Sequence, residues 1–413
     1  MEELKMSAYP EQVSLMEGLK LLLPKAASAG TEEITLEEAD GRILASDIVS
    51  DDNVPPFRRS PYDGYAIHAQ DTAGASKEAP VHLSITEEIP AGSTAVRPVN
   101  EGEAVKIMTG APVPDGLDAI IKFEDTSFTK EYVDIFSPVK TNSNIVPVGE
   151  DIEKGDLLLK KGEKLTPALV GILAGLGRSI ISVYKKPAVS VLSTGDELVA
   201  VDEKISPGKI RNSSSYAIYS YLKEWNVKAK MLGIERDDAE KISNKIKDAL
   251  SDSDLLITTG GVSVGDYDLL KEALNLIGAD ILFWKTNFKP GMAVIAAVYQ
   301  EKVILALSGN PTAALICLFL FGQPLIRKMS GYQNYHTGEI LVKLTEAFPK
   351  KSRTCRMLPG VLKIQDGEAW LGYTKKQGNG MLTPMQNCEI IGEIEAGSPP
   401  LERGTQIKAY RFS

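Results

Sequence analysis

Apolar residues recur at helical spacing near the start of the chain, where Val13, Met16, Leu19 and Leu23 predict a helix ahead of the acidic stretch Glu37 to Asp40. From Asn53 the texture changes. Pro55, Pro56 and Pro61 break any helix, and from about residue 80 to about 160 short alternating runs punctuated by Pro-Ala-Gly, Asn-Glu-Gly and Pro-Asp-Gly predict strands and turns, hence a small β domain. Thr166-Pro167 as a start and Gly177 as a stop predict a short, tightly packed helix over Pro167 to Leu176. Between 187 and 330 the pattern alternates: strand Ala188 to Leu192, helix Ser213 to Trp225, strand Val227 to Ile234, helix Ala239 to Leu250, strand Asp254 to Thr259, helix Tyr267 to Ile277. That alternation predicts a parallel sheet with right-handed crossovers. After about 331, short strands and turns such as Asp366-Gly367 predict a small barrel or sandwich.

Composition narrows the class. With 413 residues, the chain exceeds the size at which one core keeps growing, so two to four domains are expected. Hydrophobic residues at 43% and charged residues at 24% are ordinary for globular proteins. A net charge of -9 with no long Lys/Arg cluster argues against nucleic acid or anionic lipid as partners. An acidic protein that handles anions then needs local lysines, backbone N–H groups or a bound cation. Cys317, Cys355 and Cys388, odd in number and far apart, fit buried thiols in a reducing cytoplasm. His68, His82 and His336 lack ligand spacing, which argues against zinc. Residues 1 to 30 show no secretory pattern, and Ala313 to Phe321, about half the length of a bilayer helix, reads as a core helix running into Gly322 and Pro324.

In a parallel α/β sheet, ligands sit beyond the carboxyl ends of the strands, so the loops there are the candidates. They are Ser193-Thr194-Gly195-Asp196-Glu197, the stretch Thr258 to Asp268, and Ser308-Gly309-Asn310-Pro311. The paired Gly260 and Gly261 allow close backbone approach and offer free N–H groups to an anion, and Asp268 adds a carboxylate; a tight turn without ligand is the plainer alternative. Neither the dinucleotide-binding glycine fingerprint nor the P-loop pattern is met. Asp196 and Glu197 are either helix caps or, with Asp268, hard oxygen ligands for Mg2+. Lys285 and Lys289 are either solvated or hold an oxyanion as compact charges. Asp63 before Gly64 can be a turn aspartate, and Met108 to Pro112 and Gly149 to Ile152 can be plain loops.

Seven segments together are specific: Ser-Pro-Tyr-Asp-Gly-Tyr-Ala, Met-Thr-Gly-Ala-Pro-Val-Pro, Gly-Glu-Asp-Ile, Ser-Thr-Gly-Asp-Glu-Leu, Thr-Gly-Gly-Val-Ser-Val-Gly-Asp-Tyr-Asp, Lys-Pro-Gly and Ser-Gly-Asn-Pro. In this order they span nearly the whole chain, which resembles the molybdopterin molybdenumtransferases, the MoeA and gephyrin E-domain family. The resemblance implies a multidomain α/β protein with four parts. These are an elongated N-terminal domain (1–50 plus 147–182), a small β domain (51–146), a doubly wound molybdopterin-binding α/β domain like that of the adenylyltransferases (183–330), and a C-terminal β-barrel (331–413). It further implies a cytoplasmic homodimer with sites between protomers. The implied reaction is Mg2+-dependent insertion of molybdenum from molybdate into adenylyl-molybdopterin with AMP release, and the implied partners include the molybdopterin adenylyltransferase and apo-molybdoenzymes.

By position, the resemblance implies Asp63, Asp151, Glu197, Asp238 and Asp268 as functional acids, with Glu197 and Asp268 toward the metal. Asp238 is taken over Asp237. Substrate contacts are implied at Thr109, Gly260, Gly261, Ser263, Lys285, Lys289, Asn310 and Arg353, with Arg356 a competitor for the last. The chain departs from the family pattern at Val146-Pro147-Val148, where a basic residue is common, at Ser308 for a proline, and at Ala313 and Asn379 for serines. Two rival readings remain: a non-catalytic pterin-binding scaffold of the same fold, and an unrelated nucleotide-dependent α/β enzyme.

Overall fold

The computed structural model describes residues 9–262, 269–374 and 376–412. Two compact units emerge. One comprises the chain up to Ser46, Lys161–Thr166 and Ile180–Ser413; the other comprises Asp47–Lys160 and Pro167–Ser179.

The first unit is built on a six-stranded sheet in the order Lys228–Glu235, Ala188–Thr194, Leu255–Thr259, Lys302–Leu307, Val294–Tyr299, Asp280–Trp284. The first four strands run parallel. Strand Leu255–Thr259 is buried throughout, as expected for a strand covered on both faces. The expectation of a purely parallel sheet needs correction at one edge, where Val294–Tyr299 runs antiparallel to both its neighbours. A two-residue turn, Gln300 and Glu301 with φ 48 and 63, joins it directly to Lys302–Leu307, and so short a link permits only a hairpin.

Helices cover this sheet for reasons visible in their sequences. Ala239–Asp252 buries Ile242, Ile246, Ala249 and Leu250, one stripe of a 3.6-residue repeat, and Asp238 caps its start. Leu15–Leu22 opens with a reciprocal Ser14–Glu17 capping box, turns Leu15, Leu19 and Leu22 inward, and leaves Met16 59% exposed. A Cβ at Gly18 would lie 2.7 Å from the Phe321 ring, so only glycine admits this close approach.

The apolar helix at Ala313 does not stop at Gly322 and Pro324. It runs from Pro311 to Met329 as α-helix, a π-helical stretch Leu318–Gly322, then α-helix again. The wider turn lets the chain pass a proline that lacks an N–H. This helix is long and apolar enough to cross a membrane, yet 89% of the relevant window is buried inside the protein, in keeping with a core helix. Its phenylalanines reach the C-terminal strands, with Phe319 stacked on Phe412 at 3.8 Å.

Strands Gly338–Leu344, Cys355–Gln365, Glu368–Tyr373, Ile390–Ile394 and Gln406–Arg411 close into a five-stranded barrel, because Cys355–Gln365 pairs with both Glu368–Tyr373 and Ile390–Ile394. The short strand Phe288–Lys289 attaches alongside, placing Lys289 opposite Arg356. Cys317 and Cys388 are buried, Cys355 is half-buried, and none forms a disulfide. Burial pushes the Cys355 and Cys388 thiols up to about 12, so both are inert.

The second unit holds a six-stranded sheet ordered Ala119–Lys122, Gly64–Ile67, Glu103–Ile107, Val81–Ile89, Tyr132–Ile135, Thr126–Phe128. Its two faces bury separate sets, Tyr65, Ile67 and Ile121 on one and Ala66, Ile107 and Ile120 on the other. The helix Pro167–Gly175 forms as predicted but is not tightly packed: Leu173 is its one buried residue.

Candidate functional site

In the first unit the carboxyl ends of the parallel strands bring the three candidate loops together. Ser193 Oγ and Thr259 Oγ1 lie 3.0 Å apart, and Ser193 donates to Asn212 at 3.1 Å; all three residues are buried. The Gly260 N–H donates to the Leu307 carbonyl, and the Gly195 N–H to the Glu235 carbonyl, each at 3.2 Å. Both paired glycines are required by geometry. Gly260 has φ +89 and a Cβ there would sit 2.0 Å from the Thr194 carbonyl oxygen; Gly261 has φ +66 and a Cβ would meet Thr194 Oγ1 at 2.9 Å. The Gly260 turn is therefore pressed against the neighbouring Ser193-to-Glu197 loop, and because the Gly260 N–H is taken by Leu307, the expectation of a free N–H for an anion does not hold at Gly260. Ser263 and Asp268 lie outside the described residues.

The acids divide. The Glu197 carboxylate folds back over the Gly195 turn, since a Cβ on Gly195 would meet its Oε2 at 2.4 Å. Beside it, the Asp196 N–H donates to Asp237 Oδ2 at 3.1 Å. Asp238 is turned to its own helix, accepting from the Lys241 N–H at 3.0 Å and pairing with the Lys241 ammonium at 3.1 Å. The Lys241 N–H, and then its side chain, hold the Asp238 carboxyl below its ordinary value. Of the two adjacent aspartates, Asp237 meets the Asp196 loop.

Lys285 stands at the end of Asp280–Trp284 with φ 105, a strained conformation for a long side chain, held by its N–H on the Val294 carbonyl at 2.9 Å and its carbonyl on the Val13 N–H at 3.1 Å. Lys289 lines a cavity of about 230 Å3 with Pro290, Thr312, Arg356, Gln377 and Asn379 among its walls. Arg356, the competitor to Arg353, belongs to this cavity; Arg353 is exposed and is not among its walls. The segment Gln377 to Met381 closes over the start of the core helix, with the Thr312 N–H donating to the Asn379 carbonyl at 3.2 Å and the Thr312 hydroxyl to the Met381 carbonyl.

Each departure from the family pattern has its own local setting. Ser308 Oγ accepts the Asn310 N–H at 3.2 Å, tying the turn that a proline would stiffen covalently. Ala313 is buried, and Asn379 contributes its backbone carbonyl, which a serine would offer equally. Val146 is buried and pairs through its backbone with Arg59.

In the second unit three motif loops are laced together by main-chain hydrogen bonds. Arg59 pairs with both Val146 and Pro112, the Gly110 N–H donates to Ser60 at 2.7 Å, and the Asp151 N–H donates to Val54 at 3.0 Å. Asp63 accepts from both the N–H and the hydroxyl of Thr109, each at 2.8 Å. Those two donors, the N–H foremost, with Lys106 adding a smaller attraction, hold the Asp63 carboxyl below its ordinary value. A Cβ at Gly64 would lie 2.1 Å from the Ile121 carbonyl, so the Asp-Gly pair is fixed by packing as well as by the turn. Asp151 is exposed on the same laced surface.

Sequence reasoning passed over Asn212 and Thr312, named Thr194 only as part of its loop, and set Asp237 aside in favour of Asp238. No spacing marks Asn212 or Thr312, because their partners Ser193 and Asn379 are remote in the chain.

Comparison with known proteins identifies the fold and the family. Residues 13–177 match the model of the MoeA N-terminal region (domain I and II), residues 190–328 that of a "Probable molybdopterin binding domain", and residues 342–412 that of the MoeA C-terminal region (domain IV). A curated relative from Bacillus subtilis, named molybdopterin molybdenumtransferase, is 38% identical over 92% of this chain and 89% of its own. A Staphylococcus aureus protein of the same name is 35% identical over 96% and 94%. The crystal structure of the molybdopterin biosynthesis MoeA protein from Pyrococcus horikoshii superposes with TM-score 0.85 at 30% identity, covering 98% of this chain and all of that one. The chain belongs to the molybdopterin molybdenumtransferase family.

Proposed function

We propose that this transferase of molybdenum cofactor biosynthesis takes molybdenum from molybdate into adenylyl-molybdopterin, with cleavage of the phosphoanhydride and release of AMP. Relatives that match over nine-tenths of the chain carry the transferase name. The observation that carries the finer reading is the cavity of about 230 Å3 lined by both Lys289 and Arg356, which has room for a tetrahedral oxyanion and the charge to hold one. The Gly260-Gly261 turn lies against the pterin's phosphate, as the family motif implies. Lys285 and Lys289 hold molybdate near the dithiolene, so positioning and electrostatics supply the rate.

Glu197 and Asp268 are the residues that would hold Mg2+. Among the described residues no group of three or more His, Cys, Asp or Glu stands close enough to hold an ion by itself. The donor set fits an ion that takes one or two carboxylates and completes its shell with substrate phosphates and water. When bound, the cation neutralises charge developing on the departing phosphate.

The reading includes a homodimer in the cytoplasm, in which Asp63, Thr109 and Asp151 of one copy serve the strand-end loops of the other. The helix Pro167–Gly175, apolar along its length and buried only at Leu173, supports a second copy as its cover. The molybdopterin adenylyltransferase and apo-molybdoenzymes complete the partners. The direct test gives the purified protein adenylyl-molybdopterin, molybdate and Mg2+. AMP release and a product that reconstitutes an apo-molybdoenzyme are expected; pterin binding without AMP release would make the chain a scaffold instead.

A further inference from the structure

We propose that Lys271 and Trp284 belong to the substrate site, the Trp284 indole gathering the ammonium groups of Lys271 and Lys285 into one cationic clamp for a phosphate of the nucleotidyl substrate. Lys271 Nζ lies 4.0 Å and Lys285 Nζ 3.9 Å from the centroid of the same ring. Both lysines are half-buried, where attraction to an aromatic face is stronger than at an open surface. Trp284 Nε1 is buried without an acceptor, so the indole is not anchored by its polar end, and what it offers its surroundings is the face.

Two separate elements deliver the charges. Lys271 lies in the first turn of Leu269–Leu276, the helix that follows the Gly260-Gly261 turn in sequence. Lys285 comes from the end of a sheet strand and adopts a strained φ of 105 that two backbone hydrogen bonds enforce. A chain of net charge -9 thus brings two like charges within about 8 Å of each other across one indole, at the expense of backbone strain at Lys285. Point-like ammonium groups at that spacing suit the oxygens of a phosphate. Lys271 and Trp284 are not among the walls of the Lys289–Arg356 cavity, so the clamp adds phosphate contacts beside Lys285, the residue it shares with the molybdate route proposed above.

The inference rests on the proposed function, and its test separates the two. AMP release is followed while adenylyl-molybdopterin is varied at saturating molybdate. Lys271→Met should raise KM for the pterin about tenfold with kcat within about twofold, and the difference should shrink as salt is raised. Trp284→Phe, which keeps a weaker aromatic face, should raise KM less than Trp284→Leu, which should approach Lys271→Met. An unchanged KM in Lys271→Met, or equal impairment of both Trp284 variants, would overturn the clamp while leaving the reaction in place. Should the wild type release no AMP, the reaction is refuted, and calorimetric titration with inorganic pyrophosphate then decides the clamp: equal affinity in wild type and Lys271→Met sinks it.

Discussion

Asp63 and Thr109, 46 residues apart in sequence, meet through two hydrogen bonds of 2.8 Å onto one carboxylate oxygen, leaving the other oxygen of Asp63 unused by Thr109. A carboxylate that accepts an N–H and a hydroxyl is stabilised in its charged form, and its direction is fixed by the loop that carries Thr109. Thr109→Val removes the hydroxyl and keeps the N–H. The Asp63 carboxyl should then move part of the way back toward its ordinary 3.8. For a carboxyl lowered on folding, the stabilisation is full above the unfolded value and disappears as pH falls through the folded one. The variant should therefore lose this contribution at a higher pH than wild type on acidification, read by carboxyl NMR titration; superimposable titrations would refute the assignment. At neutral pH both carboxylates are ionised, and AMP release should fall about ten- to a hundredfold through misplacement alone.

The Gly260 turn gives a sharper test because its constraint is backbone against backbone. Gly260→Ala must place a Cβ at φ +89 and within 2.0 Å of the Thr194 carbonyl oxygen, which no rotamer change relieves. Gly367 also has positive φ, +78, but a Cβ there meets nothing within 4 Å. Gly367→Ala should cost about 1 kcal/mol from φ alone, and Gly260→Ala several times that, since the two strand-end loops must separate. Chemical denaturation of both variants measures the difference; equal losses would mean that the turn yields freely.

Asp238 separates stability from chemistry. Its side chain caps Ala239–Asp252, and Asn caps a helix as well as Asp does. Asp238→Ala should destabilise by about 1 kcal/mol in a denaturation curve while Asp238→Asn remains close to wild type. Retained stability in the Ala variant would show that the cap is not supporting the helix. The activity of the Asn variant then reports the negative charge with the helix intact, and Asp237→Asn provides the comparison on the side that meets the Asp196 loop.

How much of this was readable from the chain differs by element. The βαβ alternation and the loops at strand ends follow from local patterns, so helices such as Ala239–Asp252 appear within a residue or two of their predicted bounds. The hairpin Val294–Tyr299 to Lys302–Leu307 was hidden because two buried apolar runs look alike whichever way they run. The Pro167–Gly175 helix was legible as a helix but not in its exposure, since an apolar run does not reveal whether its own chain covers it. In the site, the acids and glycines carry motifs, whereas the choice between Asp237 and Asp238 depends on one rotation at a helix start.

That last difficulty recurs at Arg353 and Arg356, and there the geometry decides. A strand places alternate residues on opposite faces, so two arginines three apart cannot both line one pocket unless the chain bends. Arg356 lies in the strand Cys355–Gln365, opposite Lys289 in register, and shares its cavity; Arg353 precedes the strand and is exposed. Arg356→Met removes the fork that can grip two oxyanion oxygens, and should weaken molybdate binding about ten- to a hundredfold, equivalent to about 1.4–3 kcal/mol. Arg353→Met should change it less than about twofold, the range of an exposed charge screened by salt. Calorimetric titration with molybdate at two ionic strengths compares them. If Arg353→Met proves the weaker binder of the two, the oxyanion is held outside the Lys289–Arg356 cavity, and the route proposed for molybdate must be redrawn around the exposed loop.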